Sequence, residues 1–76
     1  MAVKLGDIIK KTRKKAGLSQ TELADLAGVG KTTVFDIENG KKTVRFANIQ
    51  RICKVLNLVF IMRDPFGNEI EVENAG

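Results

Sequence analysis

Residues 19–40 read SQTELADLAGVGKTTVFDIENG, and this stretch predicts two short helices joined by a tight turn. Ser19, followed by Glu22 three positions later, has the spacing of a capping box, which marks the start of a helix. Gly28 suits the left-handed backbone that ends a helix, because glycine has no Cβ atom to clash. In the second segment, apolar residues recur at helical spacing and give it one inward face. The expected helices span residues 20–27 and 31–38.

This stretch resembles the helix-turn-helix of the Xre-like phage repressors, the Cro and CI type. The resemblance is carried by five groups of residues at the family's spacing, namely Leu18-Ser19-Gln20, Glu22-Leu23-Ala24, Gly28-Val29, Val34 and Ile37-Glu38-Asn39-Gly40-Lys41. It extends from about Leu5 to Leu58. In such motifs the second helix enters the major groove of DNA. The resemblance implies a mainly α, repressor-like DNA-binding domain of four to five helices.

Two further helices are predicted beside this pair, at residues 5–16 and at about 45–57. One helical face of the first carries Leu5, Ile8, Ile9, Thr12 and Ala16. One helical face of the second carries Phe46, Ile49, Ile52, Cys53 and Leu56. Because Cys53 lies on this apolar face, we expect a small buried hydrophobic side chain rather than a reactive thiol.

Four residues on the outward face of the helix at 31–38 are candidate contacts to DNA bases. Lys31 can donate to O6 and N7 of guanine, and Thr32 can offer its hydroxyl to a base or its methyl to thymine. Phe35 can cover a thymine methyl group; the alternative is a place in the core or in a dimer contact. Asp36 departs from the family pattern. It can accept from N4 of cytosine, act against wrong sequences, or pair with a nearby lysine.

A second set of residues is expected to contact DNA phosphates. The set comprises Gln20, Thr33, Lys41, Lys42 and Arg45. The resemblance places the Gln20 amide against a phosphate, at a helix start where free N–H groups also bind anions; the alternative is a solvated glutamine. The resemblance also implies that the basic loop after the second helix holds the DNA backbone. Each neutralised phosphate should then add about −0.9 to the logarithmic salt dependence of binding.

Arg13 and Glu38 are predicted to form a structural ion pair. In the resembling family, an arginine at this place in the first helix is tied to the glutamate that precedes Asn-Gly at the end of the recognition helix. A bidentate Arg–carboxylate pair fixes the geometry between two elements. The alternative for Arg13 is a phosphate contact.

After residue 57 the apolar pattern changes from helical spacing to that of strands. Residues 58–62 read LVFIM, which predicts a strand buried on both faces. Residues 64–68 form a turn cluster, and residues 69–73 alternate between acidic and apolar side chains. The chain is therefore predicted to divide into a helix-turn-helix DNA-binding domain at residues 1–57 and a C-terminal β-hairpin dimerisation segment and tail at residues 58–76.

A lone hairpin on so small a domain leaves open, apolar strand edges, which pairing with a second copy would remove. We therefore predict a two-fold dimer in which the strand pairs across the interface. The predicted interface residues are Val59, Phe60, Ile61 and Met62. A helix-turn-helix domain followed directly by such a strand also resembles the HipB-type antitoxins, which are dimeric repressors that bind a kinase-like toxin. That resemblance implies a toxin partner with a HipA-like kinase fold.

Composition excludes several other classes of protein. The chain has no histidine and a single cysteine, which argues against an internal disulfide, a cysteine-based metal cluster and histidine-dependent catalysis. No apolar run reaches the length of about 20 residues that a membrane span needs, and the start lacks the apolar core of a signal peptide. We expect a cytoplasmic protein that needs no cofactor, is not an enzyme and does not bind membranes.

The charge is unevenly distributed. Residues 1–57 hold 12 Lys and Arg against 5 Asp and Glu, whereas residues 58–76 hold 1 Arg against 4 acidic residues. A basic body suits double-stranded DNA, and the acidic tail is expected on the far side. The sequence therefore predicts a dimeric, sequence-specific transcriptional repressor that reads an inverted-repeat operator. The alternative is a protein-interaction module that uses the same helical fold without base readout.

Overall fold

The computed structural model describes residues 4–72, which form four helices followed by a two-stranded hairpin. The helices are α1 (Leu5–Lys15), α2 (Gln20–Ala27), α3 (Lys31–Glu38) and α4 (Phe46–Val55), and the strands are β1 (Ile61–Arg63) and β2 (Glu69–Glu71). The predicted mainly α architecture with a C-terminal hairpin is confirmed. Both helices of the central pair have the predicted bounds, whereas α4 is shorter at each end than expected. No helix within the described range is long and apolar enough to cross a bilayer.

The start of α2 and the turn after it follow from local chemistry. The Ser19 hydroxyl accepts from the Glu22 backbone N–H at 3.0 Å, and the Glu22 carboxylate accepts from the Ser19 N–H at 3.0 Å. This reciprocal capping box satisfies two donors that a helix start leaves unpaired. At the other end Gly28 adopts φ 70°, the left-handed conformation that its missing Cβ permits. The predicted boundaries of α2 are thus set by residues at its own ends.

The core lies where the four helices meet. Its buried apolar side chains are Ile9, Leu23, Ala24, Val34, Ile37, Ile49, Ile52, Cys53 and Leu56. Ala24 is buried with only a methyl group, which lets α2 approach its neighbours closely. Burial raises the pKa of the Cys53 thiol to about 11, so this cysteine is a packed hydrophobic residue, as predicted.

The buried face of α1 differs from the apolar face that its sequence carries. Ile9 is fully buried, but Leu5 and Ile8 are each 38% exposed and Ala16 is exposed, so most of that apolar face does not enter the core. The reason is a close crossing at Gly6. A Cβ atom there would lie 2.5 Å from the carbonyl oxygen of Ile37 and 2.7 Å from that of Glu38. This contact turns Gly6, rather than its larger neighbours, towards the end of α3.

The hairpin has a defined antiparallel register. Residues Ile61, Met62 and Arg63 of β1 pair with Glu71, Ile70 and Glu69 of β2, respectively. The turn is held by the Asp64 carboxylate, which accepts from the backbone N–H groups of Phe66 and Asn68 at 2.8 and 2.9 Å. Gly67 supplies the left-handed residue of this turn, at φ 88°. The predicted turn cluster is confirmed, while Glu73 of the predicted alternation lies outside the described residues.

The predicted strand at 58–62, buried on both faces, is wrong in position and in burial. The strand begins later, at Ile61, and every residue of β1 is exposed. Leu58 and Phe60 precede it and are half-buried against the core. The Phe60 ring packs edge-on against Phe46 of α4 with their centroids 5.2 Å apart. The helices therefore cover only residues that lead into β1, and the apolar residues of the strand itself are exposed to solvent.

Candidate nucleic-acid interface

The outer face of α3 carries exposed side chains of the types that read DNA bases. Lys31 and Thr32 in its first turn are exposed, and Phe35, one turn later, is 52% exposed. Phe35 is thus a large apolar side chain on an otherwise polar helix face. The phenylalanine therefore does not occupy the core, which was one of the alternatives for it.

Asp36 lies at the edge of this face and pairs with a lysine from the following loop. The Lys41 Nζ atom lies 3.3 Å from the Asp36 Oδ2 atom, and 25% of the Asp36 side chain is exposed. Pairing with a nearby lysine, one of the three alternatives from sequence, is therefore present in the free chain, whereas the other two concern bound DNA. The pair holds Lys41 against α3 and offsets the negative charge that Asp36 would otherwise present to DNA.

Three of the five residues predicted to contact phosphates line one shallow depression. Thr33, Lys41 and Arg45 meet there, between α3, the following loop and the start of α4. Hydroxyl, ammonium and guanidinium groups are the common protein donors to DNA phosphates. Arg45 is the N-cap of α4, so the unpaired backbone N–H groups of that helix start lie at the same place.

Two polar residues in the same depression were missed by sequence reasoning. Thr43 lies in the basic loop, and Asn48 lies in the first turn of α4. Neither belongs to the residues that carry the family resemblance. Their polar side chains near the basic residues Lys41, Lys42 and Arg45 could have indicated a shared site, although a polar loop residue by itself indicates only exposure.

The other two predicted phosphate contacts lie elsewhere. Lys42 borders a second depression, at the start of α1, together with Lys4 and Lys10. Gln20 is half-buried, and its amide nitrogen donates to the Glu38 carboxylate at 3.2 Å. An amide nitrogen carries two hydrogens, so one donor of Gln20 is not used by this bond. The structure thus groups three of the predicted contacts, links Lys42 to them through Lys41, which lines both depressions, and places Gln20 elsewhere.

Arg13 and Glu38 form a buried, bidentate ion pair between α1 and the end of α3. The Arg13 Nε and Nη2 atoms lie 2.7 and 3.0 Å from the two carboxylate oxygens of Glu38, and only 9% and 2% of the two side chains are exposed. The remaining guanidinium nitrogen donates to the Leu18 carbonyl at 2.9 Å. Burial raises the pKa of Glu38, but hydrogen bonds from Arg13 and Gln20 outweigh it and hold that pKa below its ordinary value. This network joins α1, the start of α2 and the end of α3.

The hairpin carries charges of both signs at its surface. Arg63 and Glu69 face each other across the strands, with Arg63 Nε donating to Glu69 Oε1 at 2.9 Å. The next acidic residue of β2 is Glu71, which is exposed. Since acidic side chains repel DNA phosphates, the hairpin is unsuited to the DNA-facing side.

A helix-turn-helix family model matches residues 9–59, which is more than half of the chain. Among curated relatives, the ImmF control region 10 kDa protein of Bacillus phage phi105 is 42% identical over 55 residues. The alignment covers 72% of this chain and 61% of that protein, so the chain spans less than two-thirds of this relative's length.

The solved structures that are similar in both fold and sequence include the following two. A chain of the HipA–HipB–O2–O3 complex aligns with a TM-score of 0.71 and 26% identity, over 80% of this chain and 86% of that chain. SinR of Bacillus subtilis, a master regulator for biofilm formation solved in complex with DNA, aligns with a TM-score of 0.63 and 34% identity. That alignment covers 71% of this chain and 87% of SinR in the DNA complex.

Proposed function

The chain belongs to the helix-turn-helix family of Xre-like, DNA-binding transcription regulators, and from this membership we propose that it is a dimeric, sequence-specific repressor. The observation that carries the proposal is the exposed face of α3, where Lys31, Thr32 and Phe35 stand free of the core. One such helix from each subunit enters successive major grooves of an inverted-repeat operator. Bound there, the dimer blocks access to the promoter.

Base readout in this proposal rests on four side chains of α3. Lys31 donates to guanine, Thr32 meets a base edge, and Phe35 covers a thymine methyl group. Asp36 accepts from N4 of a cytosine while Lys41 stays beside it. The Lys41 pairing supports this role, because a carboxylate near the phosphates needs a cation to offset their repulsion.

Phosphate contacts position the helix without reading sequence. In our proposal Thr33, Lys41 and Arg45 hold one phosphate group at the depression beside α4, and Lys42 adds charge from the same loop. Gln20 holds another phosphate at the start of α2 through the amide hydrogen that Glu38 leaves unused. Because Glu38 orients that amide, the buried ion pair also sets the position of this contact.

The dimer of this proposal forms through the segment from Val59 to Met62. Val59, Ile61 and Met62 are more than half exposed in the single chain, and Phe60 is half-buried beside them. Exposed apolar strand residues favour pairing with a second chain. Two recognition helices related by the resulting two-fold axis read half-sites about 34 Å apart, one turn of DNA.

A second candidate role is that of an antitoxin with a HipA-like kinase partner. It is favoured by the alignment with a chain of the HipA–HipB–O2–O3 complex, which extends over 80% of this chain. Purification of the chain together with the products of its native neighbouring genes tests this role. A stable complex with a kinase-fold protein supports it, and recovery of the chain without one counts against it.

The proposed function is tested by selecting bound sequences from a random duplex library at near-physiological salt. We expect recovery of an inverted repeat with about ten base pairs between half-site centres. Recovery of no motif, with binding lost as salt rises, would reduce DNA contact to non-specific electrostatics. The alternative of a protein-interaction module without base readout would then be favoured.

Asp36→Ala should relax base preference at one position of each half-site. Loss of one good base contact corresponds to about 1–3 kcal/mol of discrimination. The measurement is a repeat of the selection with the variant, read position by position. Asp25→Ala is the matched control, because it removes an equal charge from an exposed site on α2, outside the recognition helix. A uniform gain in affinity for all sequences would mean that Asp36 reads no base.

A further inference from the structure

We propose that the partner subunit pairs along the outer edge of β1 in one specific register, with Ile61 opposite the partner's Ile61. This inference rests on the dimer proposed above and specifies its interface. It follows from the hydrogen-bond alternation of the hairpin, from the charges on its two edges and from the backbone on either side of β1.

The hydrogen bonds of the hairpin decide which backbone groups face outward. The Val72 N–H donates to the Phe60 carbonyl at 2.8 Å, and the Asp64 N–H donates to the Asn68 carbonyl at 3.0 Å. In an antiparallel pair, alternate residues bond to the partner strand and those between them point their N–H and C=O groups away. Ile61 therefore directs its backbone groups to the outer edge of β1. By the same alternation, Val59 and Arg63 do so as well.

The outer edge of β2 is unsuited to pairing with a second copy. The backbone groups on this edge belong to Glu69 and Glu71, which lie on either side of Ile70 in the strand. Antiparallel self-pairing there would bring carboxylates directly opposite carboxylates, and like charges in that position are destabilising, although Arg63 offsets part of the charge of Glu69. The edge of β1 instead offers Val59 and Ile61, which are 57% and 61% exposed. The charges thus direct a second copy to β1.

Backbone chemistry on either side of β1 selects the register. A two-fold axis at Met62 would place Pro65 opposite Val59, and an axis at Arg63 would place it opposite Ile61. Both are unfavourable, because proline has no N–H to donate. An axis at Phe60 would place Asn57 opposite Arg63. Asn57 has φ 58°, a left-handed conformation that cannot continue a strand. An axis at Ile61 places these two unsuitable residues opposite each other, outside the paired stretch, and it pairs Val59 with the partner's Arg63.

This register closes the assembly at two copies. The two hairpins form one four-stranded sheet in which both β1 edges are internal. The outer edges are then the two β2 strands, whose Glu69 and Glu71 side chains oppose addition of a third copy. On one face of this sheet, Phe60 lies beside the partner's Met62. Met62 is exposed in the single chain, and Phe60 is already packed on Phe46 of α4, so the pairing would cover an exposed apolar side chain.

Disulfide cross-linking of the full chain tests the register. With the axis at Ile61, the two Ile61 Cα atoms lie about 5.5 Å apart, within the range that a disulfide spans. The two Met62 Cα atoms lie about 8 Å apart, from the spacing and rise of strands, which is too far. Ile61→Cys should therefore cross-link at least about tenfold faster than Met62→Cys under mild oxidation. Unaltered chain is the control, because its Cys53 is buried with its pKa raised to about 11.

A second variant and a second measurement separate the outcomes. Val59→Cys combined with Arg63→Cys should also cross-link, since these positions face each other across the axis. Faster cross-linking of Met62→Cys would overturn the register. Absence of cross-linking in all variants, with a dimer in analytical ultracentrifugation, would overturn pairing through the strand, here and in the proposed function, while the dimeric state itself stands. A monomer at micromolar concentration would overturn both.

Discussion

Arg13→Met is expected to lower the free energy of unfolding by about 3–5 kcal/mol, which for a domain of this size lowers Tm by about 12 °C or more. The variant keeps a long apolar side chain but removes both hydrogen bonds to the Glu38 carboxylate. Only 2% of the Glu38 side chain is exposed, so its charge would be left buried with Gln20 as its remaining hydrogen-bond donor. Breaking one side of a buried pair costs far more than the intact pair contributes.

Lys14→Met is the matched control, since it makes the same kind of change at the next position of α1. Lys14 is exposed, so its replacement should change the free energy of unfolding by no more than about 0.5 kcal/mol. Thermal unfolding followed by circular dichroism compares the two variants. Equal stability of both, with DNA affinity reduced only for Arg13→Met, would assign Arg13 to a phosphate contact rather than to a structural role.

Gly6→Ala is expected to destabilise the protein by about 1–3 kcal/mol, although alanine favours a helix by about 1 kcal/mol over glycine. The added Cβ atom would lie 2.5 Å from the Ile37 carbonyl oxygen and 2.7 Å from that of Glu38. Both obstacles are backbone atoms, so α1 and the end of α3 must move apart. Chemical denaturation measures the loss of stability.

Gly30→Ala provides the comparison for that variant. Gly30 is the N-cap of α3 at φ −74°, and an added Cβ atom would approach no closer than 3.7 Å to Thr33 Oγ1. Its cost should be the smaller one, below about 1 kcal/mol, because only capping preference changes. A Gly6→Ala variant as stable as the unaltered protein would show that the crossing of α1 and α3 adapts without strain.

The bounds of the central helices were predictable because their signals are local. The capping box at Ser19 and the left-handed residue at Gly28 act within a few residues of the helix ends they define. The hairpin turn is likewise decided by Asp64 and Gly67, which shape their own backbone. Periodicity alone also placed the buried Val34 and Ile37 of α3 correctly.

The outward face of α3 was also predictable, because residues opposite an inward apolar stripe must face outward. Phe35 is exposed there, which rules out the place in the core that the sequence had left as an alternative. The pairing of Arg13 with Glu38 followed from the family resemblance rather than from spacing, since these residues are far apart in sequence. The structure adds that two nitrogens of Arg13 donate to the two carboxylate oxygens of Glu38.

The sequence by itself therefore determined the helices, the turn between them and the outward face that would meet DNA, since each depends on neighbouring residues. Tertiary structure alone decided which face of α1 is buried, because a backbone contact between Gly6 and α3 outweighs the apolar pattern of α1. It also decided that Gln20 bonds to Glu38. Tertiary structure also decided that β1 is exposed, because burial depends on what packs against a segment. The helices contact Leu58 and Phe60, which precede β1, but leave the strand itself uncovered.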